Sequence, residues 1–248
     1  MRIIFILLIL FFSESIASQQ SNITKIDTSN TEKLEKVIIT GTRTKRTLAS
    51  LPLNADIIAK NDIEKNNSSR LSDIINEQTG LITIPDFGGV EGIQMQGLDS
   101  QYTLILLDNQ PLIGRSAGTF DLNRVTLGNV NQIEIIRGAS SSLYGNEALA
   151  GVINIISEKP KNGFTSTISS LVQTNNTFDN SISLSFKNKK FYTSIFHNIY
   201  SSDGYDLKAD DQLRTVNKFN NNTSTINLGF KLNNEFKADI NCLLYTSP

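Results

Sequence analysis

The sequence predicts two consecutive parts: an α+β domain, with a small mixed sheet and short helices, and then the first antiparallel strands of a transmembrane β-barrel. Three observations predict this arrangement. Short β-branched runs alternate with helix-like segments up to about residue 162. From residue 163 onward, stretches of alternating apolar and small polar residues replace them. The chain also begins with an apolar run of the kind that exported proteins carry.

Residues 1–17 are predicted to be a signal peptide. Arg2 supplies a positive start, residues 3–12 are apolar, and Ser15 and Ala17 are small residues placed for cleavage. The alternative is a short membrane anchor, but the run is well short of the roughly 20 residues that span a bilayer. Residues 18–34 are polar and without periodicity, which predicts a flexible leader too short for a further folded domain.

Residues 35–41, with the sequence EKVIITG, form a β-branched run between polar flanks. Such a segment has a high strand propensity, and it can add itself as an extra strand to the sheet edge of another protein. The alternative is an ordinary first strand of the domain that follows.

Two further segments have clear element signals. Residues 71–81 read as a short amphipathic helix, with Ser68 or Ser69 as N-cap and Gly80 as the stop. Residues 103–112 read as an apolar strand that runs into an Asp-Asn turn and a proline.

Residues 130–160, with the sequence VNQIEIIRGASSSLYGNEALAGVINIISEKP, change pattern three times. A β-branched strand ends at Arg137, and a helix-like turn around residues 147–150 is stopped by Gly151. A second apolar strand follows, and Pro160 prevents its extension.

These segments, in this order over about residues 35–160, closely resemble the plug domain of TonB-dependent outer-membrane receptors. The resemblance implies a plug domain at 42–162 and the start of the barrel at 163–248. It also implies that residues 35–41 are the TonB box, which binds the energy-coupling protein TonB. The TonB-box residues are then Glu35, Lys36, Val37, Ile38, Ile39, Thr40 and Gly41.

The barrel prediction depends on alternation. Residues 182–186, 226–232 and 236–240 alternate clearly, apolar toward lipid and polar toward the lumen. Residues 188–190 fit a tight turn, and 201–222 fit a long polar extracellular loop. The alternative is an ordinary soluble sheet.

A plugged transporter barrel has about 22 strands, and each strand takes about 10 residues. The roughly 85 residues after Gly163 are enough for about five strands. An open sheet with unpaired edges is not viable in lipid, so we expect this chain to be an N-terminal fragment. Residues 241–248 have no turn or stop signal, which suggests a sequencing or assembly tail.

The resemblance implies that two glycine-rich plug loops, 85–92 and 112–120, contact the transported ligand. Arg115 is suited to a carboxylate or phosphate on that ligand, and Phe87 and Phe120 are suited to an apolar surface of it. Simple loop solvation is the alternative for each side chain. The predicted ligand-binding residues are Asp86, Phe87, Gly88, Gly89, Arg115, Ser116 and Phe120.

In this family, the arginine before the plug glycine pairs with barrel glutamates and holds the plug in place. Arg137 occupies that position here, so we expect it to act as a latch between plug and barrel. A second arginine is expected earlier in the family pattern, and Gln96 stands there instead. The two-arginine form of the latch is therefore in doubt.

Composition argues against several other functions. A formal net charge of −1 and a pI near 5.9 argue against a nucleic-acid partner. With a single cysteine and a single histidine, the chain cannot form an internal disulfide or a Cys/His zinc site by itself. His197, a lumen or interface side chain by position, has no G-x-S-x-G elbow to work with, so we expect neither an enzyme nor a cofactor.

The predicted function is that of an outer-membrane receptor, with its plug facing the periplasm, that takes up a scarce nutrient with energy supplied through TonB. The partners are TonB, outer-membrane lipid and an extracellular metal chelate. An iron–siderophore complex is the first expectation for the chelate, with haem or cobalamin as alternatives. Two other classes stay open: a free-standing periplasmic binding module of the plug type, and a non-transporting adhesin or phage receptor.

Overall fold

The computed structural model describes residues 37–38, 46–47, 54–85, 90–115, 118–138, 141–207, 215–231 and 237–246. The predicted signal peptide at 1–17 and leader at 18–34 lie outside these residues. Within the described ranges, no helix is both long enough and apolar enough to cross a membrane.

The first part of the chain is a mixed sheet flanked by short helices. Its five main strands lie in the order β3-β8-β9-β6-β7, and β6 and β9 are the parallel pair. Two antiparallel pairs, β1-β2 and β4-β5, accompany this sheet. The strands are β1 (Val37–Ile38), β2 (Arg46–Thr47), β3 (Asn54–Ala59), β4 (Leu81–Pro85), β5 (Glu91–Met95), β6 (Thr103–Leu107), β7 (Gln110–Pro111), β8 (Val130–Arg137) and β9 (Gly151–Ser157). The helices are α1 (Lys60–Lys65), α2 (Leu71–Ile75) and α3 (Ser141–Tyr144), with 3-10 turns at Ser100–Tyr102, Leu122–Arg124 and Asn146–Ala148.

Strand β9 is the centre of this core. All seven of its residues are buried, as expected for a strand with neighbours on both edges and elements on both faces. Asn154 is its one amide, and that side chain exchanges two hydrogen bonds with Asn109, at 3.1 and 2.9 Å. Asn109 follows Asp108 in a tight turn, and both residues have positive φ. The predicted Asp-Asn turn is therefore confirmed.

Helix α2 differs from its prediction at both ends. It ends at Ile75, and its N-cap is Arg70, not Ser68 or Ser69. The reason is Asp73, whose carboxylate accepts the backbone N–H groups of Ser69 and Arg70 at 3.1 and 2.9 Å. Asp73 thus binds the backbone just before the helix, as the N3 acid of a capping box does, while the Arg70 side chain extends to the antiparallel sheet.

The second part is an antiparallel sheet in the order β10-β11-β12-β13-β14. The predicted tight turn is confirmed: the Asn188 Oδ1 atom accepts the N–H groups of Lys190 and Phe191 at 2.9 and 2.8 Å. The predicted loop at 201–222 is too long, because the strands extend from both sides to Ser202 and Phe219. The strands are β10 (Gly163–Gln173), β11 (Thr177–Lys187), β12 (Phe191–Ser202), β13 (Phe219–Lys231) and β14 (Lys237–Thr246).

Residues 241–246 of the predicted sequencing or assembly tail belong to β14, and the origin of this tail stays a prediction. They pair with β13 from Asn227↔Asn241 to Asn222↔Thr246, so the chain continues the ladder to that point. Residues 247–248 lie outside the described residues.

The antiparallel sheet has two distinct faces. One face carries buried or polar side chains that meet the mixed domain, including Asp179, Phe196 and Asn198. The opposite face exposes apolar side chains, for example Ile168 at 75% and Ile240 at 64%. This alternation is the pattern of a barrel wall, with an apolar outer surface. His197 belongs to the outer face, where its Nδ1 atom lies 2.8 Å from the Ser224 Oγ atom. Of its two predicted positions, lumen or interface, the lumen is therefore excluded.

Candidate functional site at the junction of the two sheets

The strongest polar contact between the mixed domain and the antiparallel sheet is made by Arg70. Its side chain is 2% exposed, and its Nη2 atom lies 2.8 Å from the Asp179 Oδ2 atom of β11. The same nitrogen donates a hydrogen bond to the Asn198 Oδ1 atom of β12, at 3.1 Å. The guanidinium carbon lies 3.8 Å from the centre of the Tyr200 ring, a cation–π contact. One side chain thus contacts two strands of the neighbouring sheet.

The partners of Arg70 are themselves held in place. The Asn198 Nδ2 atom donates to the Asp179 Oδ1 atom at 2.5 Å and to the Asn180 carbonyl oxygen at 3.1 Å. Asp179 therefore accepts from Arg70 on one carboxylate oxygen and from Asn198 on the other. These hydrogen bonds hold the Asp179 carboxylate in one orientation, which favours a single geometry for its ion pair with Arg70.

The electrostatics of the junction follow from its burial. Burial lowers the pKa of Arg70, while the charge of Asp179 and its hydrogen bond oppose the shift. An arginine begins from so high a pKa that the side chain remains a cation at neutral pH. The Arg70 Nε atom has no hydrogen-bond partner among the described residues. The pair is thus a buried charge pair, which is costly to break from one side.

Apolar contact completes the junction beside this pair. Phe196 of β12 is 3% exposed and packs against the chain at Gly128. A methyl group at Gly128 would lie 3.2 Å from the Phe196 ring, so the absence of a side chain at Gly128 lets the ring pack close to the backbone there.

The loops predicted to bind ligand are described only in part. Asp86, Phe87, Gly88, Gly89 and Ser116 lie outside the described residues. The Phe120 side chain is buried in the core of the mixed domain, at 5% exposed.

Arg115 is described, and its guanidinium is engaged with the backbone. Its Nη1 atom donates to the carbonyl oxygens of Ser100, Gln101 and Gly118 at 3.4, 3.3 and 3.1 Å, and its Nη2 atom donates to that of Thr103 at 3.0 Å. These hydrogen bonds tie Arg115 to Gly118 and to the start of β6. A ligand role for Arg115 stays a prediction.

Arg137 makes its contacts inside the mixed domain. Its Nη1 atom is ion-paired with Asp56 of β3, and its Nη2 atom donates to the Thr79 carbonyl oxygen at 3.0 Å. Among the described residues, Arg70 and not Arg137 makes the ion pair with the antiparallel sheet. The latch role of Arg137 stays a prediction. Gln96 is exposed, in the tight turn after β5.

Of the predicted TonB box, Val37 and Ile38 are described. They form β1, which pairs antiparallel with Arg46 and Thr47 of β2. The Ile38 side chain is fully buried and packs with Ile57 and Ile136. The remaining predicted members, Glu35, Lys36, Ile39, Thr40 and Gly41, lie outside the described residues.

No group of three or more His, Cys, Asp or Glu side chains in the described residues is arranged to hold a metal ion.

Residues 47–152 match the family described as TonB-dependent Receptor Plug Domain. This chain contains a TonB-dependent receptor plug domain. The match covers most of the mixed domain, Arg70 included, so the junction described above joins a plug domain to the strands that follow it.

Curated relatives agree with this identification. The chain is 31% identical over 147 residues to the vitamin B12 transporter BtuB of Vibrio cholerae, covering 58% of this chain and 24% of that protein. It is 27% identical over 158 residues to BtuB of Vibrio vulnificus, covering 62% and 26%. The chain thus spans about a quarter of the length of the curated relatives it matches.

Solved structures share the fold of the plug domain and its following strands. The siderophore receptor PirA of Acinetobacter baumannii matches with a TM-score of 0.66 and 19% identity, over 78% of this chain and 31% of that one. The ferric enterobactin receptor PfeA of Pseudomonas aeruginosa matches with a TM-score of 0.64 and 22% identity, over 78% and 33%. The α+β plug followed by antiparallel barrel-type strands is thereby confirmed, with the sheet open between β10 and β14.

Proposed function

We propose that this chain belongs to an outer-membrane receptor that imports a metal chelate with energy supplied through TonB. The observation that carries the proposal is the junction: a plug domain is joined by a buried Arg70–Asp179 pair to strands whose opposite face is apolar. A plug held against the inner face of a barrel wall is suited to closing a pore until it is displaced.

The segment at Val37 and Ile38 supports the coupling role. It is a two-residue strand on a two-residue partner, so few main-chain hydrogen bonds hold it. Such a strand can exchange its partner for the sheet edge of another protein. Burial of Ile38 against Ile57 keeps the segment docked until that exchange occurs.

An iron–siderophore complex is the first candidate for the cargo, because structural neighbours of this fold are siderophore receptors. Cobalamin is the second candidate, and a specific observation favours it: curated relatives at 31% identity are vitamin B12 transporters. We assign no catalytic role, since the plug family consists of transport receptors.

The test is import in living cells. Cells carrying the complete gene, and cells lacking it, are compared for growth on ferric enterobactin as iron source and on cyanocobalamin as cobalamin source. We expect gene-dependent growth on one of these chelates and loss of that growth in cells without TonB. Growth that depends on neither the gene nor TonB, on every chelate tried, would contradict the proposal.

The coupling segment has its own variant pair. Ile38→Pro removes an N–H group and the buried side chain, whereas Ile38→Val keeps a β-branched apolar residue. We expect Ile38→Pro to abolish import while leaving chelate binding to intact cells unchanged, and Ile38→Val to import normally. Cell fractionation separates this receptor from a free-standing periplasmic module, which would be recovered in the soluble fraction.

A further inference from the structure

Lysines gather at one end of the antiparallel sheet, where its strands meet short connections. The backbone N–H of Lys231, the last residue of β13, donates to the Lys190 carbonyl oxygen at 2.7 Å. Lys187, the last residue of β11, pairs with Gly163, the first residue of β10. These contacts place the chain before β10, the turn after β11 and the end of β13 side by side. The lysines with exposed side chains at this end, which we call the basic rim, are Lys159, Lys161, Lys189 and Lys190.

The basic rim is not neutralised by acids next to it in the chain. Within residues 158–163 and 187–191, all of which the structure describes, Glu158 is the one acidic residue. Its Oε1 atom lies 2.6 Å from the Nζ atom of Lys60, so this carboxylate already has a cationic partner. No lysine of the basic rim forms an ion pair with another described residue. Ammonium groups clustered in this way create a positive surface potential that attracts anions.

The opposite end of the sheet has a different charge. The turn at 174–176, between β10 and β11, has the sequence TNN and carries no charge. Lys218, which directly precedes β13, is ion-paired with Asp203 at 3.1 Å. Among the described side chains of the sheet, exposed lysines without an ion-pair partner therefore lie at the rim end.

Two cross-strand pairs of phenylalanines lie next to the basic rim on the outer face of the sheet. Phe164 of β10 pairs with Phe186 of β11, and Phe191 of β12 pairs with Phe230 of β13. Phe164 is 68% exposed and Phe230 is 47% exposed, although both side chains are large and apolar. Lys190 directly precedes Phe191, so the positive charges begin where the aromatic rings end. On an outer-membrane barrel, a girdle of aromatic residues marks the boundary between hydrocarbon and headgroups.

The lengths of the connections indicate which leaflet the basic rim faces. Residues 188–190 and 232–236 are short connections at the rim end, whereas residues 203–218 are the long connection at the other end. Outer-membrane barrels have short turns on the periplasmic side and longer loops outside the cell. The basic rim is therefore at the level of the phospholipid headgroups of the periplasmic leaflet.

We propose that the basic rim binds the headgroups of anionic phospholipids in the periplasmic leaflet of the outer membrane. The proposal rests on the proposed function and adds a lipid partner to it. The two phenylalanine pairs hold the strand ends at the hydrocarbon boundary. From there the apolar stems of the lysines lie along the membrane surface while their ammonium groups contact lipid phosphates. Each lysine near an anionic surface strengthens binding by about fivefold.

The test is lipid binding by the complete receptor, purified from outer membranes in mild detergent. It is titrated with dioleoylphosphatidylglycerol, which is an anion, or with dioleoylphosphatidylethanolamine, which has the same acyl chains and no net charge. Bound lipids are counted by native mass spectrometry. We expect the natural receptor to bind the anionic lipid at least about tenfold more tightly than the neutral one. The variant Lys161→Gln/Lys189→Gln/Lys190→Gln should lose this preference, and arginine at the same three positions should keep it because the charge remains.

The matched control for a single rim lysine is Lys218 at the opposite end of the sheet. We expect Lys190→Gln to weaken binding of the anionic lipid by about fivefold and Lys218→Gln to leave it unchanged. Equal effects of these two variants overturn the proposal, because they would show attraction by any surface lysine. Equal affinity of the natural receptor for the two lipids also overturns it.

The leaflet is tested by labelling Asn162→Cys in the complete receptor, in a background without other cysteines. Asn162 is exposed directly after Lys161. The probe is a maleimide joined to a large polyethylene glycol, which does not cross the outer membrane. We expect labelling only after the outer membrane has been permeabilised. Labelling in intact cells overturns the periplasmic position of the basic rim, and with it the lipid partner.

The lipid partner and the proposed function fail under different results. A receptor that imports its chelate through TonB but has no preference for the anionic lipid refutes the lipid partner alone. Retention of an acidic protein by the natural receptor and not by the triple glutamine variant, without a lipid preference, assigns the basic rim to a protein and overturns the lipid partner. Recovery of the complete gene product in the soluble periplasmic fraction refutes the proposed function and the lipid partner together.

Discussion

The Arg70 guanidinium reaches out of the plug domain to Asp179 on β11, and the two charged groups meet at 2.8 Å in a buried site. The arginine stands at the N-cap of α2, and its backbone N–H donates to the Asp73 carboxylate at 2.9 Å. Its backbone is thus bound to the helix while its side chain extends to the sheet. A single residue before a short helix thereby joins two parts of the fold that are far apart in sequence.

Removing one partner of this pair should destabilise the junction strongly. For Arg70→Leu or Asp179→Leu alone, we expect a loss of about 3–5 kcal/mol in the free energy of opening, because one buried charge is left unpaired. The double variant Arg70→Leu/Asp179→Leu should lose less than the sum of the two. The measurement is the urea dependence of amide hydrogen exchange in α2 and β11 of the complete receptor.

The matched control for this prediction is an exposed ion pair. The Lys60 Nζ atom lies 2.6 Å from the Glu158 Oε1 atom, but both side chains are about two-fifths exposed. Burial lowers the pKa of Lys60, whereas the contact with Glu158 raises it, and the net result is a raised pKa. Lys60→Leu should cost less than about 1 kcal/mol because solvent screens the pair. Equal losses for Lys60→Leu and Arg70→Leu would contradict the importance of burial at the junction.

The Arg137–Asp56 pair should have an intermediate effect. Arg137 is 11% exposed at its side chain, but Asp56 is 50% exposed, so water already solvates one partner. The pair bridges β8 to β3, and β3 is the edge strand of the plug sheet. We expect Arg137→Ala to cost about 1–2 kcal/mol and to raise hydrogen exchange in β3 more than elsewhere.

The predicted latch role of Arg137 is tested separately, by measuring leakage through the pore. A leak in the complete Arg137→Ala receptor that equals the leak of Arg70→Leu would support a latch role for Arg137 as well. An unchanged leak would assign Arg137 to the plug sheet alone.

Docking of the predicted coupling segment should depend on one side chain. Ile38 is fully buried, whereas Ile82 of β4 is 57% exposed. We expect Ile38→Ala to release β1 and to make the chain near residue 38 sensitive to protease, because truncation of a buried isoleucine costs about 2–5 kcal/mol. Ile82→Ala is the control and should leave protease sensitivity unchanged. Equal sensitivity in the two variants would refute the docking role of Ile38.

The elements of the plug could be predicted because their signals are local. The β-branched run of β8 and the apolar run of β9 each indicate a strand by their own composition. The turn at Asp108 and Asn109 is likewise indicated by those two residues alone. The junction could not be predicted in this way. Arg70 is separated from Asp179 by 109 residues (179 minus 70) and from Asn198 by 128, so no local pattern links it to these partners. The sequence did contain one indication of the junction. Asp179 lies an even number of residues from the other inward-facing residues of β11, so strand alternation places its side chain on the inner face.

Close packing of β5 makes Gly92 a sensitive position. A methyl group there would clash with the Ser100 hydroxyl oxygen and lie 2.7 Å from the Thr119 Cγ2 atom, while the backbone of Gly92 is unstrained. We expect Gly92→Ala to cost about 1–3 kcal/mol, as overpacking does. The Ser100 hydroxyl has no hydrogen-bond partner among the described residues, so adding Ser100→Ala should recover part of the loss. Hydrogen exchange in β4 and β5 measures the loss in the single variant and the gain in the double variant. A double variant no more stable than Gly92→Ala alone would contradict the steric explanation.

Asp121 gives the plug a pH dependence of defined sign. Burial raises the pKa of its carboxyl group, and the N–H groups of Asn123 and Glu91 and the charge of Arg124 offset the shift only in part. The folded state therefore holds this proton more tightly than the unfolded state. The stabilisation is complete below the unfolded pKa of about 3.9 and is lost as the pH rises through the higher folded pKa.

Asp121→Asn should remove that dependence and keep most of the structure. The amide oxygen of asparagine can still accept the Asn123 N–H group, which lies 3.1 Å from the present carboxylate oxygen. We expect the variant to gain stability relative to the natural chain as the pH rises from about 4 to about 7, because the natural carboxylate then ionises in a buried site. The free energies of local opening, from hydrogen exchange near Leu122–Arg124, are compared at both pH values. A constant difference between the two proteins, or one that falls with pH, would contradict the raised pKa of Asp121.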